Sequence, residues 1–329
     1  MKKNVEIKPI FIFSLPRSGS TLLQRVLATH DEISTAAEPW LLLPFLYALK
    51  KEGTYAEYSH TSAQIAVRDF CKELPGGEHD YLSAVRTVML ELYANAAISD
   101  AVYFLDKTPR YALVSEDILR MFSGDSKSIF LWRNPLAIIA SMIESFNDGK
   151  WYIFHSKIDL YDGMERLIQA YEENSSTVMS VKYESLVNEP VDTLLRITEF
   201  LQIEYKKSAV DFFSDVKFQG SMGDPVGVKE YNKISSDSLD KWKKTLASPV
   251  RKAWCRRYLC WLGRGRLEVM GYDLDELLDE LNQIPSQWLE VIPDIFRGVY
   301  GSLYCLFEFK IAKDKVRNLL NERRIFKHE

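Results

Sequence analysis

Ile10–Leu23 reads IFIFSLPRSGSTLL, and the order of chemistry along it decides the fold. An apolar, β-rich run, Ile10–Leu15, passes through Pro16-Arg17-Ser18-Gly19-Ser20 into a helix opening at Thr21. Strand, tight loop and helix in that order aim backbone N–H groups and a helix N-terminus at one point, where an anion, most often a phosphate, is held. Gly19 allows positive φ and close backbone approach. Ser18, Ser20 and Thr21 supply hydroxyls, and Arg17 a fork of donors suited to a phosphate or sulfonate. The nucleotide-triphosphatase loop, GxxxxGK[ST], is not matched, because one glycine is present and no lysine follows it.

Outward from this loop, three more apolar runs read as buried parallel strands: Val102–Leu105, Ser128–Trp132 and Val178–Val181. Helical patterns separate them, at Thr21–Thr29, Leu136–Phe146, Asp159–Asn174, Val191–Leu201 and Ser238–Met270. This alternation predicts an α/β fold: a P-loop-like open parallel sheet with helices on both faces. A core domain is expected over 1–275. A helix-rich insertion at about 40–98 would form one wall of a cleft, and a helical C-terminal extension would run over 276–329. Phe218–Ser238 reads as a long loop.

A second basic element follows the Ser128–Trp132 run. Arg133 ends the strand, Pro135 opens a helix at its first position, and Ser141 lies eight residues after Arg133. Strand ends and the helices that follow them share the ligand-binding edge of an open sheet, so Arg133 and Ser141 suit a second phosphate.

Composition sets the outer bounds. With 329 residues, 47% hydrophobic content and a net charge of −4, the chain can build a full core. It has no global basic field, so nucleic acid is not expected as a partner. Cys71, Cys255, Cys260 and Cys305 have no metal-ligand spacing and read as buried free thiols in a reducing cytoplasm. No signal peptide or membrane span is expected. The apolar, aromatic stretch Ile295–Phe309, followed by Lys310, Lys313, Lys315 and Arg317, suits packing on the core or a homodimer, with peripheral contact to a membrane surface as the alternative.

Together these elements resemble the PAPS-dependent sulfotransferases, over about residues 8–273. PRSGSTLL is similar to the family's 5′-phosphosulfate loop and LWRNPLAIIASM to its 3′-phosphate element. Lys182-Tyr183-Glu184-Ser185-Leu186, Gly223-Asp224-Pro225, Ser238-x-x-Lys241-Trp242 and Gly271-Tyr272 resemble later family segments. Arg17 replaces the loop lysine of the cytosolic type, as in the tyrosylprotein and many bacterial members.

The resemblance implies that Arg17, Ser18, Gly19, Ser20, Thr21 and Leu22 hold the 5′-phosphosulfate. It implies that Arg133, Ser141 and Tyr183 hold the 3′-phosphate and nucleotide, with Lys241 and Trp242 covering them. Glu38 would be the general base, Lys107 would stabilise the bridging oxygen, and Arg17 would assist catalysis. His30 reads as structural. The donor would be PAPS, the product PAP, and no metal would be required. The acceptor would be a hydroxyl, with a glycan expected first, a small alcohol or phenol second and a protein tyrosine third. Trp40, Tyr47, Tyr55 and Tyr58 would suit sugar stacking.

Two other readings stand beside this one. Asp106 ends an apolar run as a Mg²⁺-binding aspartate does in P-loop kinases and nucleotide triphosphatases. A nucleotide binder without chemistry would keep the loop and lose the base.

Overall fold

The computed structural model describes residues 7–50, 60–216, 218, 239–307 and 316. Five parallel strands form one sheet in the order β2-β3-β1-β4-β5. They are β1 (Lys8–Phe13), β2 (Ile33–Thr35), β3 (Tyr103–Asp106), β4 (Lys127–Trp132) and β5 (Met179–Lys182). Because every pair is parallel, all five C-terminal ends lie along one edge. The chain leaves β1 toward β2 on one side and later places β4 on the other. β1 is therefore the point where strand order reverses, the usual ligand-binding crevice of such sheets.

The strands read as continuous apolar runs because both faces are covered. Phe11, Phe13, Phe104, Phe130 and Trp132 enter one core; Ile10, Ile12, Leu105, Ile129 and Leu131 enter the other. The helices are α1 (Ser20–Leu27), α2 (Leu42–Tyr47), α3 (His60–Lys72), α4 (Glu78–Ala96), α5 (Ser115–Met121), α6 (Pro135–Asn147) and α7 (Met164–Asn174). After them come α8 (Tyr183–Asn188), α9 (Pro190–Leu201), α10 (Ser208–Phe212), α11 (Lys241–Thr245), α12 (Pro249–Val269), α13 (Leu274–Gln283) and α14 (Val291–Phe307). α1, α8 and α9 cover the aliphatic face, and α4 to α7 with α12 and α13 cover the aromatic one.

The four strands expected from sequence are present. β2 is an addition: three residues at the sheet edge are too short to show a period. Helix α6 starts as the proline implied, with Asn134 capping it by accepting from the Leu136 N–H at 2.9 Å. The 40–98 segment holds α2, α3 and α4, and Leu42, Leu82, Val85 and Met89 tie it to the aromatic-face core. Past residue 275, Leu277, Leu281 and Ile284 belong to that same core. Of the Phe218–Ser238 loop, all but Phe218 lies outside the described residues, as do Tyr55, Tyr58 and Gly223-Asp224-Pro225.

Candidate active site

The anion loop lies between β1 and α1. Gly19 (φ 89°) is the N-cap of α1, and Arg17 also has positive φ, at 70°. Two left-handed residues within three turn the chain sharply enough to bring the first turn of α1 over the end of β1. The Gly19 Cα packs against the ring of Tyr183, and a Cβ there would run into that ring. Glycine is required at this position both for its backbone angle and for the approach.

Residues distant in sequence meet around the loop. Arg133, at the end of β4, donates through Nη1 to the Arg17 carbonyl at 2.8 Å. Its guanidinium lies 4.4 Å from the centre of the Tyr183 ring, in a cation–π stack. Arg17 donates through Nε to Ser141 Oγ on α6 at 3.2 Å. Arg17, Ser18, Gly19, Arg133, Ser141 and Tyr183 are thus brought to one place. The Ser18 hydroxyl and Arg133 Nε are buried with no hydrogen-bond partner. Orphaned buried donors beside a helix N-terminus match the chemistry of a bound phosphate.

The second half of the site lies at the ends of β3 and β2. Lys107 directly follows β3, is 1% exposed, and donates to Glu38 Oε1 at 2.7 Å. It also reaches Thr21 Oγ1, on α1, at 3.4 Å. A buried ammonium is stabilised only where it is paired, and Glu38 supplies the pairing charge. Trp40 donates through Nε1 to the other Glu38 oxygen at 3.4 Å. The unexpected strand β2 brings Glu38 here. Thr35, its last residue, donates to the Leu105 carbonyl at 2.6 Å. Gln24 on α1 reaches across to Thr35 Oγ1 and the Ala36 carbonyl at 2.9 and 2.7 Å.

Asp106 is the residue whose surroundings the sequence did not reveal. It is fully buried and accepts hydrogen bonds from Tyr93 at 2.7 Å, Tyr111 at 3.0 Å and Thr108 at 3.3 Å. Thr108 Oγ1 also accepts from the Trp40 N–H at 3.3 Å, and the Tyr111 hydroxyl from the Leu42 N–H at 3.2 Å. Asp106 therefore holds, through two hydroxyls, the segment that carries Glu38 and Trp40. Burial pushes its carboxyl up to about 6, against the opposing pull of its three hydrogen-bond donors and of Lys107. A Walker-type sequence position was the only signal available, and it pointed to a metal instead of a scaffold.

Glu184 has a comparable tying role. It accepts from the Asn134 N–H at 2.9 Å and from the Tyr272 hydroxyl at 2.6 Å. Lys182 donates to the Gly271 carbonyl at 2.8 Å. The distant Tyr183-Glu184 and Gly271-Tyr272 segments thus close on each other behind Arg133. Trp242 is buried in the aromatic-face core and Lys241 is exposed, both on α11. His30 bridges the Glu204 carbonyl (Nε2, 3.0 Å) and the Glu32 N–H (Nδ1, 3.1 Å), a structural set of contacts. Among the described residues, no group of three or more His, Cys, Asp or Glu is placed to hold a metal ion.

A profile of the sulfotransferase family matches residues 9–207. This chain belongs to the sulfotransferase family. The matched span contains the loop, Glu38, Lys107, Arg133, Ser141 and Tyr183. Among relatives in sequence, the nodulation protein NoeE of Sinorhizobium fredii is 34% identical over 150 residues, 43% of this chain. The match spans only 33% of NoeE's own length. A putative protein-tyrosine sulfotransferase of Caenorhabditis briggsae is 25% identical over 239 residues, covering 71% of this chain and 80% of that protein. Among solved structures, the sulfotransferase domain from the curacin biosynthetic pathway superposes with a TM-score of 0.52 at 22% identity, over 78% of this chain and 97% of that domain. It shares the fold.

Proposed function

We propose that this sulfotransferase-family chain transfers a sulfonate from 3′-phosphoadenylyl sulfate to an acceptor hydroxyl, with Glu38 as general base. The observation that carries the reading is the buried Lys107–Glu38 pair, 2.7 Å apart, set against the orphaned Ser18 and Arg133 donors of the anion loop. The donor supplies a sulfonate on a good leaving group, a phosphate. Arg17, Ser18, Gly19 and the first turn of α1, with Ser20, Thr21 and Leu22, hold the 5′ end. Arg133, Ser141 and Tyr183 hold the 3′-phosphate and nucleotide, with the exposed Lys241 on the nucleotide's outer side. As the acceptor oxygen bonds to sulfur and the sulfur–phosphate oxygen bond breaks, Glu38 takes the acceptor's proton. Lys107 faces the charge growing on the departing oxygen.

The acceptor we favour is a glycan. Trp40 is partly exposed and hydrogen-bonded to Glu38, so an aromatic face adjoins the base, as sugar stacking requires. A protein tyrosine, suggested by the name of the nematode relative, is the competing acceptor. We place the enzyme in a reducing compartment, the cytoplasm: Cys71 and Cys255 are buried and Cys260 exposed, all three unpaired. A kinase or nucleotide triphosphatase would require Asp106 to face Mg²⁺, and its carboxylate oxygens already accept three protein hydrogen bonds.

The test is thermal unfolding with PAP and without Mg²⁺. PAP at about 100 times its Kd stabilises the native state by about 2.7 kcal/mol, so Tm rises. If PAP leaves Tm unchanged while ATP–Mg²⁺ raises it, the proposal fails. Turnover with labelled PAPS against a panel of glycans, phenols and tyrosine peptides then identifies the acceptor and rejects a binder without chemistry.

A further inference from the structure

Helix α14 (Val291–Phe307) is built with its charges inward and its apolar residues outward. Asp294 is fully buried, and Arg251 on α12 grips it through Nε at 2.8 Å and Nη2 at 3.0 Å. Arg251 is itself buried and also donates to the Thr245 and Gly149 carbonyls. Arg297 donates to Asp294 at 3.3 Å from the same helix. Gly301 packs so closely on Phe154 that a Cβ would not fit. Ion pair and close contact fix the rotation of α14 on the body of the protein, because turning it would strand a buried charge.

With its rotation fixed, the outer surface follows from the sequence. Phe296 (72% exposed) and Ile292 (68%) stand in solvent on α14, with Val299 and Leu303 beyond them, and Trp288 (72%) and Leu289 (93%) are exposed in the segment just before the helix. At 100° per residue, the exposed apolar positions from 292 to 303 span an arc of about 140°. That is wider than the two-position seam of a coiled-coil pair. The arc is contiguous and unbroken by a charge, unlike the isolated apolar residues of an ordinary surface. Charge identifies the occupant. The sequence following the helix, residues 308–329, carries seven Lys and Arg against four Asp and Glu, within a chain whose net charge is −4. A tryptophan-led apolar arc next to a locally basic segment has the chemistry of an in-plane membrane anchor. Among the described residues, no helix is long and apolar enough to cross a membrane.

We propose that the outer face of α14 docks the protein on the surface of an anionic lipid bilayer. The test is flotation of the full chain with vesicles of phosphatidylcholine, with and without about 30% phosphatidylglycerol. The wild-type protein floats with the anionic vesicles and much less with the neutral ones. The double variant Leu289→Glu/Phe296→Glu loses binding about tenfold or more while keeping the wild-type Tm and its response to PAP, because both side chains are exposed and remote from the anion loop's contacts. A wild-type chain that stays with the unbound fraction, or a double variant that floats equally well, overturns the proposal. So does a wild-type dimer in light scattering that the double variant converts to monomer without any lipid binding; the face would then belong to a second copy.

Discussion

Asp106→Asn separates the two meanings of a carboxylate at the end of β3. Asp106 is fully buried and its carboxyl is raised to about 6 from 3.8. A raised carboxyl pKa means the native state binds the proton more tightly than the unfolded chain does. Stability from this group is therefore complete below about pH 3.8 and falls as pH rises toward 6, levelling off above it. Relative to the protonated state, the linkage relation gives a loss of about 2 kcal/mol at pH 5 and about 3 kcal/mol at pH 7.5. Asparagine keeps the shape, its carbonyl can accept from Tyr93 and Tyr111, and it does not titrate. The wild-type protein should thus lose about 1 kcal/mol more than Asp106→Asn between pH 5 and 7.5. Urea unfolding of both proteins at the two pH values measures that double difference, and the constant cost of altered hydrogen bonds cancels. A difference of zero, or of opposite sign, would mean that Asp106 is not the buried, three-donor carboxylate described. Because Asp106 reaches Trp40 and Leu42 only through Thr108 and Tyr111, the variant should also lower turnover through misplacement of Glu38, while leaving PAP affinity near wild type.

Other predictions concern the proposed catalytic pair and the loop. Glu38→Gln should cut sulfuryl transfer by about 10²–10⁴-fold, the usual value of a general base, and leave PAP binding in place; calorimetry beside a labelled-PAPS assay reads both. Lys107→Ala should likewise lose turnover and also destabilise the fold, because it leaves the Glu38 carboxylate near the core without its cation. Gly19→Ala should weaken PAP binding and cost about 1–2 kcal/mol for the left-handed angle alone, plus displacement of the Tyr183 ring; PAP titration that matches wild type would contradict the close approach.

Much of the site was legible because its parts are local. A strand that stops at a serine–glycine loop, and another that stops at Arg133 before a helix-opening proline, are short-range patterns set by sterics and burial. Parallel pairing then puts their ends on one edge. Less legible were the links. Three residues of β2 carry too little pattern to be seen, yet they bring Glu38 to Lys107. Asp106, at the end of an apolar run, offered a metal-ligand reading as the alternative, and its scaffold role stayed hidden because its donor Tyr93 comes from a helix in the inserted segment. Trp242 looked like a nucleotide cover from its neighbours in sequence, and burial puts it in the core beside Leu246.

By itself, then, the sequence determined most of the elements: four of the five strands, where the anion loop turns, and which charged residues stand at strand ends. Tertiary structure decided the partners. Arg17 meets Ser141 across 124 positions and Lys107 meets Glu38 across 69, because strand order, not chain order, sets which ends are neighbours. It also decided the outward face of α14. Amphipathic spacing marks a helix with two faces, but the buried Arg251–Asp294 pair and the Gly301–Phe154 contact determine which of them turns to the solvent.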